Sequence, residues 1–95
     1  MDVIFGDSDL DRLETDAQFT GGFAQAIVRA YRRRMQQIRA ATDERDLRSA
    51  RLEKLKGRRA HQFSIRLNDQ FRLILEMETA SSVKTIIVIS IEDYH

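Results

Sequence analysis

The feature that most constrains this chain is a change of hydrophobic period at Gly57. Ahead of it, Phe23, Ile27, Ala30, Tyr31, Met35 and Ile38 recur at spacings of three and four, which draws one apolar stripe along a helix. Beyond it, Phe63, Ile65 and Leu67 alternate with Gln62, Ser64 and Arg66, and Phe71, Leu73 and Leu75 alternate with Arg72, Ile74 and Glu76. That alternation belongs to strands buried on one face. Helices first and strands afterwards predict an α+β fold, with N-terminal helices packed on a C-terminal antiparallel sheet. A chain of 95 residues has room for one core, so residues 1–95 are read as a single domain.

Smaller features set the boundaries. Val3 to Phe5 reads as a short strand, and Asp7 or Ser8 caps a short helix presenting Leu10 and Leu13. The main helix is expected from a Thr20 cap to about Ala41, with Gly21 and Gly22 weakening its first turn. Asp43 caps a further helical piece before Arg51. The final strand, from Lys84 to Asp93 or beyond, is apolar on both faces through Ile91, as expected of a strand covered on both sides.

The hairpin register follows from parity. A two-residue turn would set Leu67 against Gln70 and mix the faces. A three-residue loop, Asn68-Asp69-Gln70, sets Leu67 against Phe71 and Ile65 against Leu73, and keeps one face apolar. Arg66 then opposes Arg72 on the other face. Like charges directly opposed across a strand pair are unfavourable, and a phosphate clasped by both guanidinium groups would remove the penalty. The alternative is two solvated arginines splayed apart.

The net charge of +1 hides a segregation: residues 1–19 carry −5, residues 29–72 carry +9 and residues 73–95 carry −3. A basic middle attracts an anionic polymer, or else it forms solvated faces on a helix and hairpin. Lys54, Lys56, Arg58 and Arg59 sit around Gly57 and are candidates for RNA contact together with Arg66. The run Arg32-Arg33-Arg34 is read as a solvated helix face. With no cysteine and two histidines, neither a disulfide framework nor a metal centre is expected, and no cofactor is. The longest apolar run, Ile86 to Ile89, is far below the roughly 20 residues of a membrane span. No basic stretch leading into an apolar run opens the sequence. The expected setting is the cytoplasm, without a membrane partner.

Asp93 and His95 lie two apart, so in a continuing strand they share a face about 6–7 Å apart, with Tyr94 on the opposite face. A histidine oriented by a carboxylate can move protons near neutral pH. Such a pair among cations suffices to cleave RNA without a metal: a base activates the 2′-OH, cations hold the phosphorane charge and an acid protonates the leaving 5′-oxygen. A frayed polar tail is the alternative. His61 enters its strand on the Phe63, Ile65, Leu67 face and is expected to be partly buried and structural.

Three ordered segments, Leu52-Glu53-Lys54-Leu55-Lys56-Gly57, the hairpin Gln62 to Arg72, and Glu92-Asp93-Tyr94-His95, resemble HigB-type toxins of the RelE/ParE superfamily. The resemblance is close over residues 51–95 and holds in outline over the helical half. It implies a RelE-like fold and an endoribonuclease that cuts mRNA in the ribosomal A site. It also implies a HigA-like antitoxin with a helix-turn-helix domain, through which the pair reaches operator DNA. Lys56 and Arg72 fall on the family's active-site cations, and Asp93, Tyr94 and His95 fall on its terminal catalytic segment.

The sequence departs from the family at Glu53, where some members carry an active-site histidine. Two other functions fit the same fold. One is a ParE-like toxin that inhibits gyrase without catalysis, and the other is a weakened homologue that mainly binds its antitoxin. The terminal Asp-Tyr-His favours the ribonuclease, because gyrase binding has no need of an acid–base pair.

Overall fold

The computed structural model describes residues 1–94, and its hairpin forms in the register that parity requires. Strand β3, Gln62–Arg66, and β4, Phe71–Ala80, pair antiparallel with Ile65 opposite Leu73 and Arg66 opposite Arg72. The Leu67 amide donates to the Phe71 carbonyl at 3.0 Å. Asn68 closes the turn, its Oδ1 accepting from the amides of Gln70 and Phe71 at 2.8 and 2.7 Å, the side-chain mimicry that favours asparagine in tight turns. Strand β4 runs beyond the alternating stretch that ends at Glu76 to a turn at Ser81-Ser82, both residues at positive φ, 50° and 70°. It leads into β5, Val83–Asp93.

Two short strands complete the sheet. Strand β1, Asp2–Phe5, lies parallel to β5 with Asp2 opposite Thr85 and Phe5 opposite Val88. Strand β2, Glu53–Lys54, pairs antiparallel with β3 at the far edge, in the order β1-β5-β4-β3-β2. The sheet is therefore mixed, not purely antiparallel as expected. The helical stretch between β1 and the hairpins provides the long connection that parallel pairing requires.

Helix α1, Ser8–Thr15, is capped by Asp7, whose carboxylate accepts from the Asp9 amide at 2.8 Å. Helix α2, Gln25–Ala40, starts later than the Thr20 cap implied. Gly21 and Gly22 adopt positive φ, and the Phe23 amide bonds back to the Thr20 carbonyl, so residues 20–23 turn before the helix begins. A 3₁₀ segment, Glu44–Ala50, opens on a reciprocal cap between Asp43 and Asp46.

The two helices cover one face of the sheet. Ile27, Val28, Tyr31, Met35 and Ile38 of α2 are buried against Ile65, Leu73, Leu75, Ile86 and Val88 of the sheet, with Leu10, Leu13 and Leu47 at the margins. The Tyr31 hydroxyl donates to the Leu10 carbonyl at 2.7 Å, and burial pushes its phenol above the usual range. The arginine run is not a solvated face throughout. Arg32 donates to the carbonyls of Leu13 and Asp16, both at 3.0 Å, and Arg34 donates to the Arg66 carbonyl at 3.0 Å. Those two guanidinium groups satisfy peptide oxygens that the sequence cannot assign, whereas Arg33 is exposed. Among the described residues no helix is long and apolar enough to cross a membrane.

Candidate RNA-binding face

The sheet face turned away from the helices carries the charged row. Alternation from the register puts Gln62, Ser64 and Arg66 of β3, and Arg72, Ile74 and Glu76 of β4, on this outer face. Strand β5 continues the row: Arg72 faces Glu92 and Ile74 faces Ser90. A bulge at Ile89 separates these pairs from the Leu75–Val88 pair and re-aims the end of the strand. Glu53, opposite Ser64, is on the same face.

The two opposed arginines are held at the hairpin end. Arg66 forms an ion pair with Asp69. Arg72 donates to the Asn68 carbonyl at 2.6 Å, and its guanidinium carbon lies 5.3 Å from the centre of the Tyr94 ring, within cation–π range. Arg66 remains only partly covered, and Tyr94 is 43% exposed. The result is a surface on which two partly covered guanidinium groups lie beside one exposed aromatic ring.

A basic loop borders this face. Lys56 precedes the 3₁₀ turn Gly57–Arg59, whose Gly57 sits at φ 66°, a conformation that glycine adopts without a Cβ penalty. Arg59 donates to Gln62 Oε1 at 2.9 Å and, through both terminal nitrogens, to the Glu92 carboxylate at 2.8 and 2.7 Å. Since β4 lies between β3 and β5, this side chain passes over the middle of the face, where Ser64 and Ile74 are buried. The Arg59 guanidinium holds the Glu92 carboxyl below its ordinary value, with a smaller contribution from Ser90.

The residues singled out from sequence fall into separate groups. Arg66, Arg72, Tyr94 and Arg59 are brought together on the outer face, with Lys56 and Arg58 exposed on the loop beside it. Lys54 pairs with Phe63 and so projects by parity to the opposite side. Asp93 pairs with Phe71 and by the same parity leaves its strand on the helix-covered side, where its carboxylate accepts from the Gln70 side chain at 2.9 Å. The Tyr94 amide also donates to the Gln70 carbonyl, at 2.7 Å, so the turn anchors the last described residues. His95 lies outside the described residues.

His61 corrects an expectation. It is exposed, 3.7 Å from the Glu76 carboxylate, and not partly buried on the core face, because the strand begins only at Gln62. Glu92 is the residue that reading the sequence missed. Its place beside Arg72 follows from the β4–β5 register, which the bulge at Ile89 conceals.

A family model described as HigB-like toxin, a RelE-like toxin of the type II toxin–antitoxin system HigB, matches residues 4–95. Among solved structures, a YoeB/ParE toxin from Agrobacterium tumefaciens superposes with a TM-score of 0.59 at 19% identity, covering 100% of each chain. No curated protein sequence matches. A domain of two helices on a mixed five-stranded sheet is thus that of a RelE-like toxin. The chain belongs to the HigB-like toxins of type II toxin–antitoxin systems. An antitoxin is accordingly its partner, and the solved neighbour shares its fold.

Proposed function

We propose that this toxin is an endoribonuclease that cuts mRNA on the ribosome, in the cytoplasm, and that its antitoxin carries a helix-turn-helix DNA-binding domain. The observation that carries the reading is the outer-face row in which Arg66 and Arg72 stand opposed, with Tyr94 over Arg72. Paired guanidinium groups match phosphate oxygens, and an exposed ring offers a stacking surface to a base. The scissile phosphate would sit against Arg72, with Lys56 neutralising charge from the loop side.

In the proposed reaction the 2′-oxygen attacks the adjacent phosphorus as a base takes its proton. The 5′-oxygen leaves with a proton from an acid, and a 2′,3′-cyclic phosphate remains. Arg72 and Lys56 stabilise the charge that develops on the phosphorane. Proton transfer is assigned to the terminal segment Asp93-Tyr94-His95, in which the Tyr94 ring lies on Arg72 while Asp93, paired with Phe71, leaves β5 toward the opposite side and would have to reach round the sheet end. Glu53, on the same face as Arg66, is a further carboxylate able to act as base.

The test is cleavage of mRNA on programmed ribosomes by the wild type, His95→Gln and Asp93→Asn. Loss of general acid–base catalysis should slow cleavage by roughly 10²–10⁴-fold. Wild-type rates in both variants would remove the tail from the mechanism. A wild type that halts DNA synthesis in cells and leaves mRNA intact would replace the ribonuclease with a gyrase inhibitor.

A further inference from the structure

We propose that Glu92 is a positioning residue: through its bidentate ion pair with Arg59 it holds the Lys56–Arg58 loop beside the row of Arg66 and Arg72. The inference rests on the reading of that face as the RNA site. Little else fixes the middle of the loop. None of residues 57–59 is buried, and the turn closes on two backbone bonds, Arg59 to Lys56 at 3.3 Å and Ala60 to Gly57 at 3.2 Å. Bonds of that length within one turn shape the loop but do not tie it to the sheet. The ends of the loop are held by the β2–β3 pairing and by the Leu55 amide on the Gln62 carbonyl at 2.9 Å, and what ties its middle across the face is the Arg59 side chain, which bonds Gln62 on β3 and both oxygens of Glu92 on β5.

Glu92 is itself constrained. It stands opposite Arg72 in the strand register, and one of its oxygens also accepts from the Ser90 hydroxyl at 3.2 Å. A carboxylate in that place would repel a phosphate bound at Arg72. Pairing with Arg59 neutralises it and leaves Arg72 on the Asn68 carbonyl and the Tyr94 ring. The same contact removes Arg59 from the set of cations open to RNA and makes it an anchor for Lys56 and Arg58.

The experiment is a double-mutant cycle with Glu92→Gln, Arg59→Gln and the double variant, read in two ways. In the first, hydrogen exchange at the amides of residues 57–60 should rise at least about tenfold in each variant. In the second, the maximal cleavage rate on programmed ribosomes should fall roughly 10- to 100-fold, the scale of a misplaced catalytic group, while the half-saturating ribosome concentration stays within about threefold. The double variant should be no slower than either single one, as expected of two residues acting through one contact. Unchanged loop exchange in Glu92→Gln would overturn the proposal, and so would losses that add in the double variant. If the wild type cleaves no mRNA, the ribonuclease reading fails by that result alone, and the exchange measurement still decides whether Glu92 holds the loop.

Discussion

Replacing Arg72 with glutamate tests the outer face most directly, and the structure sets both its cost to folding and its cost to activity. In the row Arg66–Arg72–Glu92, the new carboxylate would face Arg66 favourably and Glu92 unfavourably. Each cross-strand pair contributes about 0.2–1 kcal/mol, so these two effects largely cancel. The hydrogen bond to the Asn68 carbonyl is lost, about 0.5–1.5 kcal/mol, together with the half-exposed contact to Tyr94, about 0.5–1 kcal/mol. The net destabilisation is about 1–2.5 kcal/mol, or a fall in Tm of roughly 4–20 °C for a domain of this size. That is a minor part of the 5–15 kcal/mol typical of a native domain, so the variant should fold. Activity should suffer far more, because a donor aimed at developing phosphorane charge is worth about 10²–10³-fold in rate. Arg72→Lys should fall between the two, keeping the charge and losing the planar fork. The assays are thermal unfolding by circular dichroism and single-turnover cleavage on programmed ribosomes. A folded Arg72→Glu protein that cleaves within threefold of the wild type would refute the assignment of this face.

Three further outcomes follow from contacts elsewhere. Tyr31→Phe removes the buried hydrogen bond to the Leu10 carbonyl and should lower Tm by roughly 4–8 °C, for a loss of about 1 kcal/mol. Ser82→Gly relieves a left-handed backbone at φ 70° and should raise Tm by a similar amount, since only glycine adopts that region without a penalty of about 1 kcal/mol. The Arg45 guanidinium holds the Asp43 carboxyl down to about 2, so its stabilising effect is complete above the unfolded value of about 3.9 and disappears as pH falls towards 2. Denaturant titrations of Asp43→Asn and the wild type should therefore converge across that window.

The elements that could be read from sequence are those fixed by local chemistry. The hairpin register follows from alternation at Ile65, Leu67, Phe71 and Leu73 together with one asparagine, because a slip of one residue would turn every apolar side chain outward. The caps at Asp7 and Asp43 were legible for the same reason: a side-chain oxygen and an orphan amide lie within two or three residues. The start of α2 was not, since Ala24 offers no capping side chain and the Gly21-Gly22 turn reads equally well as a weak first turn. The partner of β1, the edge strand β2 and the duties of Arg32 and Arg34 depend on groups far apart in the chain. The site divides in the same way. Arg66 and Arg72 could be set face to face from parity, but the Arg59–Glu92 pair needed the β4–β5 register and the bulge within it.

The parallel seam between β1 and β5 also bears on how the chain reaches its native state. Asp2 pairs with Thr85, so this contact closes a loop of more than eighty residues and is expected to form after the local hairpins. Until then, the edge of β5 that β1 occupies presents Ile86-Ile87-Val88-Ile89, uncharged and rich in β-branched residues, as an open template for other chains. The four residues of β1 therefore act as a built-in guard against self-association. A toxin stripped of this strand would be expected to aggregate before it lost its charged face.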